Sequence, residues 1–254
     1  MTDEVLYNVE GGAAWITINR PEARNALNRA VREGLKTAFV SAEANPEVSV
    51  VVLTGAGDKA FCAGGDLKEM ADVSLTVPPP DYVPQPNRTV PMTKPVIAAV
   101  NGGAYGGGFL LAQSADLVIA VENARFGISE IKIGRGAPWA APLPWLLPPR
   151  IAMQMLVTGD PLTAQRAYEV GLVNEVVPYD KLMTRTREWV SRIAANAPLS
   201  VRAGKATVYA AARHHRDDAF DAAEAIWTPV YLSEDAQEGP RAFAEKRTPV
   251  WRGR

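Results

Sequence analysis

The chain has 254 residues with 27 Lys and Arg against 28 Asp and Glu, a formal net charge of −1, which argues against a broadly cationic nucleic-acid surface. No apolar run approaches the ~20 residues that span a bilayer, the polar start Met-Thr-Asp-Glu-Val reads as neither signal nor transit peptide, and the single Cys62 excludes an intramolecular disulfide. A cytoplasmic protein with one large domain, or a domain plus an appendage, is the expectation.

In chain order, Trp15-Ile-Thr-Ile18 predicts a strand, and Leu27, Val31, Leu35, Ala38 and Phe39 fall on one face of a helix ending near Asn45-Pro46. Val50 to Thr54 predicts a buried strand running into Gly64-Gly65, with Asp66 as N-cap of the next helix. Glu69, three residues on, completes a capping box and leaves the Gly65 N–H just outside the first turn. Val77 to Pro86 carries five prolines in ten residues, which excludes a long regular helix there.

Val96 to Val100 predicts a buried strand, Asn101 to Tyr105 a turn, and Phe109 to Gln113 the first turns of a helix with Gly106, Gly107 and Gly108 at its N-terminus. Bare backbone N–H groups at a helix N-terminus, aided by the macrodipole, suit an oxygen that gains negative charge during a reaction. A lone glycine triplet more often serves tight packing, but the amide of Gly65 supplies a second donor. Leu117 to Val121 predicts another strand. Glu130 lies in an alternating Ile128 to Ile133 stretch and, by that pattern alone, reads as solvent-facing. Gly134 to Pro149 holds five prolines and two tryptophans, so it is irregular and stiff with large apolar walls. Trp139 and Trp145 belong either to a pocket or to core and interface packing.

Thr163 caps a short helix stopped at Gly171, and Val173 to Val177 predicts a short strand. From Tyr179 the pattern is helical, with Leu182, Val190 and Ile193 on one stripe and an alanine-rich run from Ala206 to Trp227. His214 and His215 have no Cys or further His to complete a metal site and read as surface residues. Cys62 lacks a neighbouring base in sequence and reads as a packed thiol. Neither a phosphate-loop nor a dinucleotide-binding glycine spacing is present.

The order and spacing of several segments carry a family resemblance. They are Asn19-Arg-Pro21 with Asn25-Ala-Leu27, Phe61-Cys-Ala-Gly-Gly-Asp-Leu67, Gly106 to Gly108 with Ala115-Asp116, Phe126-Gly127 with Glu130, Thr158-Gly-Asp-Pro-Leu162, Gly171 to Pro178 and Glu238 to Arg247. Over essentially its whole length the chain resembles the crotonase (enoyl-CoA hydratase/isomerase) superfamily. The resemblance implies an α/β fold: a crotonase-like spiral of ββα units over residues 1–178, holding a CoA-thioester site. A helical C-terminal region, residues 179–254, would build a homotrimer or a dimer of trimers.

It further implies that the Gly65 and Gly107 amides hold the thioester oxygen and that Glu130 is the acid/base. The loop of Ala63, Gly64, Asp66 and Leu67 would receive coenzyme A. Arg24 would lie near the CoA phosphates, and Phe243 and Lys246 would reach a CoA from the C-terminal region. Coenzyme A would enter as part of the substrate, with no separate cofactor and no metal. The proline-rich 77–86 stretch would be either a lid over the acyl end or a surface linker, and Trp139 would line the acyl pocket.

Two departures shape the expected reaction. Leu110 stands where hydratases of the family carry their first glutamate, and the 134–149 loop replaces a glycine-rich one. A single carboxylate suffices for a proton shuttle, so isomerisation of a 3-enoyl-CoA to a 2-enoyl-CoA is the leading expectation. The alternatives are an enoyl-CoA hydratase or dehydratase using Glu130 and water, and a CoA-thioester-binding relative without chemistry of its own.

Overall fold

The computed structural model describes residues 3–254. The strands that read as continuous apolar runs form the centre of a six-stranded sheet: β1 (Val5–Glu10), β2 (Ala13–Ile18), β3 (Val50–Gly55), β5 (Val96–Val100), β7 (Leu117–Val121) and β10 (Glu175–Val177), in that spatial order. Only β1 and β2 pair antiparallel; the remaining pairs are parallel. A parallel sheet covered on both faces needs apolar residues at successive positions rather than alternate ones, and Val50 to Leu53 and Val96 to Val100 are all buried.

A second, four-stranded sheet takes β4 (Ala60–Cys62), β6 (Gly103–Tyr105), β8 (Arg125–Gly127) and β9 (Leu162–Thr163), in that order. The chain therefore winds as a spiral in which β3, β5 and β7 in the first sheet are each followed by β4, β6 and β8 in the second. Helix α1 (Arg29–Ala44) precedes the first complete turn, with Asn28 accepting from the Val31 N–H as its cap. Helices α2 (Leu67–Asp72) and α3 (Gly107–Ser114) close successive turns. Between β8 and β9 lie short 3-10 turns at Ser129–Ile133 and Pro138–Ala140, then α4 (Leu143–Leu146) and α5 (Pro149–Thr158), and α6 (Ala164–Glu169) follows β9.

The C-terminal part is α7 (Leu182–Ala194), α8 (Pro198–Ala211), α9 (Arg216–Tyr231) and α10 (Glu234–Glu245). Leu182 and Val190 bury α7 against the main sheet. Helix α8 is tied to the sheet by Lys205, whose Nζ lies 2.8 Å from Asp116 Oδ2, and by Tyr209, whose hydroxyl donates to Asp116 Oδ1 at 2.9 Å. Asp116 also accepts from the Val96 N–H at 2.7 Å, so one carboxylate joins two strands and a helix.

Several local expectations need correction. The Asn101 to Tyr105 turn contains the strand β6, whose three residues are strand only because β4 and β8 flank them. The last strand begins at Glu175, not Val173. The alanine-rich run breaks between α8 and α9, with His214 and His215 exposed at the break. Reversal there lets Trp227 Nε1 donate to Thr207 Oγ1 at 2.9 Å. Asp66 does cap α2, accepting from the Lys68 and Glu69 amides, but Glu69 does not reciprocate. Its carboxylate accepts from the Arg29 N–H and pairs with Arg32 instead, while the Asp66 N–H donates to Leu27 O. Ser129–Ile133 forms a 3-10 turn, and Glu130 points inward rather than to solvent, with Oε1 bonded to Trp139 and Oε2 buried.

Candidate active site

The site begins with two buried asparagines that shape loops. Asn25, at φ 57°, accepts from the Arg20 N–H and donates to the carbonyls of Ala56 and Ala60. Asn101, just after β5, accepts from the Gly55 N–H and donates to Gly57 O at 2.7 Å. With these carbonyls satisfied, the 24–27 segment lies beside the 63–66 loop: Ala63 N–H donates to Arg24 O and Leu27 N–H to Gly64 O.

That placement brings the two glycine loops together. Gly64 has φ +99°, and a Cβ there would stand 2.9 Å from Tyr105 O and 3.4 Å from Gly107 N. Gly106 has φ +53°, and a Cβ there would stand 3.0 Å from Glu130 Oε1. Glycine alone meets both the backbone conformation and the clearance at these positions. Gly107 is the first residue of α3, where an N–H has no intrahelical acceptor. Among the described residues, neither the Gly65 nor the Gly107 amide has a protein acceptor.

Glu130 is packed against this pair of loops. Its Oε1 accepts from the Trp139 indole N–H at 3.1 Å, while Oε2 is buried without a partner among the described residues. Burial pushes its pKa above the ordinary carboxyl value, opposed by hydrogen bonds that include the Trp139 indole. Leu110, only 4% exposed, lies one turn along α3 with its N–H bonded to Gly106 O. Val83, from the proline-rich 77–86 stretch, reaches to 3.7 Å from where a Gly107 Cβ would be, so this stretch packs onto the start of α3. Arg135 ties the Glu130 loop to the same region by donating to the carbonyls of Leu75 and Thr76.

Next to these groups a cavity of about 340 Å³ is lined by Arg24, Asp58, Lys59, Ala60, Ala63, Gly103, Tyr105 and Asn123. Arg24 and Ala63 thus share one opening. Asp66 pairs with Arg20 at 3.2 Å, and Leu67 is an exposed first residue of α2. Phe243 and Lys246 sit at the end of α10, outside the cavity lining, with Phe243 88% exposed. Cys62 is fully buried, and burial pushes its thiol up to about 12, which keeps it protonated and unreactive.

Residues 8–254 match the enoyl-CoA hydratase/isomerase family. The chain belongs to that family. It shares 36% identity with (E)-benzylidenesuccinyl-CoA hydratase of Thauera aromatica, over 98% of this chain and 99% of the relative. Carnitinyl-CoA dehydratase of Salmonella typhi is 38% identical over the full length of both. The crystal structure of enoyl-CoA hydratase from Mycobacterium tuberculosis H37Rv superposes with a TM-score of 0.91 at 40% identity, covering 100% of each chain. As a member of this family the chain is an enzyme of the crotonase fold, a family that acts on acyl-CoA thioesters. Asn101 and Arg135 also shape the site: a polar residue ending a buried strand is the local signal for Asn101, nothing local marks Arg135, and Val83 belongs to the 77–86 stretch read as lid or linker.

Proposed function

We propose that this enzyme converts a 3-enoyl-CoA to a 2-enoyl-CoA, with Glu130 as its single acid/base group. The observation that carries the reading is the Glu130 carboxyl, buried against the Gly106 backbone with Oε2 unpaired, while Leu110 occupies the next turn of α3. As carboxylate, Glu130 takes a proton from carbon 2, and the electron pair moves through the thioester to its oxygen. The Gly65 and Gly107 amides hold that oxygen, each contributing roughly 3 kcal/mol in a water-poor site. Glu130 then returns the proton at carbon 4, so the double bond moves and no atom is gained or lost.

Coenzyme A enters with the substrate, and the reaction uses no separate cofactor. The cavity beside Ala63 and Gly64 suits its nucleotide end, with the Arg24 and Lys59 charges available to phosphate. Phe243 and Lys246 would serve the site of a neighbouring subunit in a homotrimer or dimer of trimers. A cytoplasmic setting fits the single free thiol.

The test is the ultraviolet absorbance of the conjugated thioester after mixing protein with a 3-enoyl-CoA. A rise that falls about 100-fold or more in Glu130→Gln is expected; an undiminished rise in that variant would exclude Glu130 as the base. Hydration by Glu130 and an ordered water is the second reading, favoured by the relatives that carry hydratase and dehydratase names. It predicts that absorbance of a 2-enoyl-CoA decays in the presence of the protein.

A further inference from the structure

Burial disfavours the charged form of Glu130, against the opposing pull of its own backbone N–H and of the one side chain among the described residues that reaches its carboxyl: Trp139, 8% exposed, with Nε1 3.1 Å from Oε1. An indole nitrogen only donates. The carbonyl oxygen of a protonated carboxyl accepts better than its hydroxyl oxygen, so the indole bond favours Oε1 as the carbonyl oxygen and Oε2 as the site of an added proton. A carboxyl without such a partner would rotate about its last torsion, which is broad and roughly two-fold, and present either oxygen.

The indole itself is held by helix α3. Its ring packs edge-on to Phe109, with centroids 5.8 Å apart at 86°, and Phe109 packs in turn on Phe126 at 5.8 Å. Gln113 Nε2 donates to the Trp139 carbonyl at 2.6 Å. Phe109 and Gln113 lie on the helix whose first amide is that of Gly107. The donor for the thioester oxygen and the clamp on the proton carrier therefore share one rigid element, which fixes their separation.

The geometry points to Trp139 as a positioning residue, whose indole N–H fixes Oε1 of Glu130 and leaves Oε2 as the oxygen that carries the proton. This rests on the acid/base role of Glu130 and changes the reading of Trp139 from a plain wall of the acyl pocket. The indole bond also favours the carboxylate, so it opposes the effect of burial.

The decisive experiment replaces the indole of Trp139 by benzothiophene, which keeps the bicyclic shape and removes the N–H, with Trp139→Phe as a second variant. In the ligand-free protein, difference infrared spectroscopy follows the protonated carboxyl C=O band of Glu130, assigned by its loss in Glu130→Gln. An upward shift of the titration midpoint by about one pH unit is expected in both variants. Turnover of a 3-enoyl-CoA should show kcat lower by about ten-fold with KM within about two-fold. A wild-type midpoint in the benzothiophene protein, or a rise in KM alone, would overturn the inference and leave Trp139 as a pocket wall. A shifted midpoint in a protein that never turns over a 3-enoyl-CoA would instead defeat the isomerase reading and keep the Trp139 clamp.

Discussion

At Glu130, burial and catalysis pull in opposite directions. The carboxyl works as a base only when ionised, yet its surroundings raise its pKa above 4.5, with desolvation the largest cause. The folded chain therefore retains this proton at pH values where the unfolded chain has released it. Stability falls as pH rises through the window between the unfolded and folded values. Glu130→Gln removes the buried charge while keeping the shape, so it is expected to melt at a higher temperature than wild type. The gain should be larger at about pH 8 than at about pH 4, as measured by thermal denaturation. In kcat/KM for the 3-enoyl-CoA, the acid limb should lie above the ordinary glutamate range and disappear with the carboxyl.

Among the elements, the contact of α8 with the main sheet depends on charges that are nearly dry. The Lys205 side chain is 8% exposed and Asp116 14%, and burial lowers the lysine pKa against the opposing pull of Asp116. Lys205→Met leaves Asp116 with its Val96, Asn87 and Tyr209 donors but without a cation. Breaking a buried pair from one side costs about 3 kcal/mol, and urea denaturation should show that loss as a lower midpoint with an unchanged slope. Strands such as Val96–Val100 and Leu117–Val121 were legible residue for residue, because a buried parallel strand is an unbroken apolar run between polar ends. Strand β6 was not legible, since Gly103-Ala-Tyr105 has no apolar run and is strand only through its neighbours.

Across the whole molecule, the described core is continuous from the first hairpin to α7, whereas the outer helices present large apolar side chains to solvent. Phe220, Tyr231, Leu232 and Phe243 on or beside α9 and α10 are all more than half exposed. Each is free to pack on a neighbouring subunit, and the proposed trimer would cover them. Sedimentation is expected to give a trimer or a multiple of it, and Phe243→Glu should shift the protein toward smaller species and raise KM for the CoA substrate. A monomer at every concentration would contradict the proposed assembly.

By itself the sequence determined the apolar runs that become the parallel sheet, the helix starts at Asp66 and Thr163, and the glycines that leave the Gly65 and Gly107 amides bare, whereas Leu27, expected on the face of α1, lies before its Asn28 cap in a bridge to Gly65. These are local properties: hydrophobic period, side-chain capping and the freedom of a residue without a Cβ. The tertiary structure alone decided that Glu130 turns inward against its local pattern, that Trp139 bonds it from nine residues away, that Arg135 bonds the Leu75 and Thr76 carbonyls, and that Val83 packs onto the start of α3. Those contacts are set by how separate turns of the spiral pack, and spacing along the chain carries no record of distances across it.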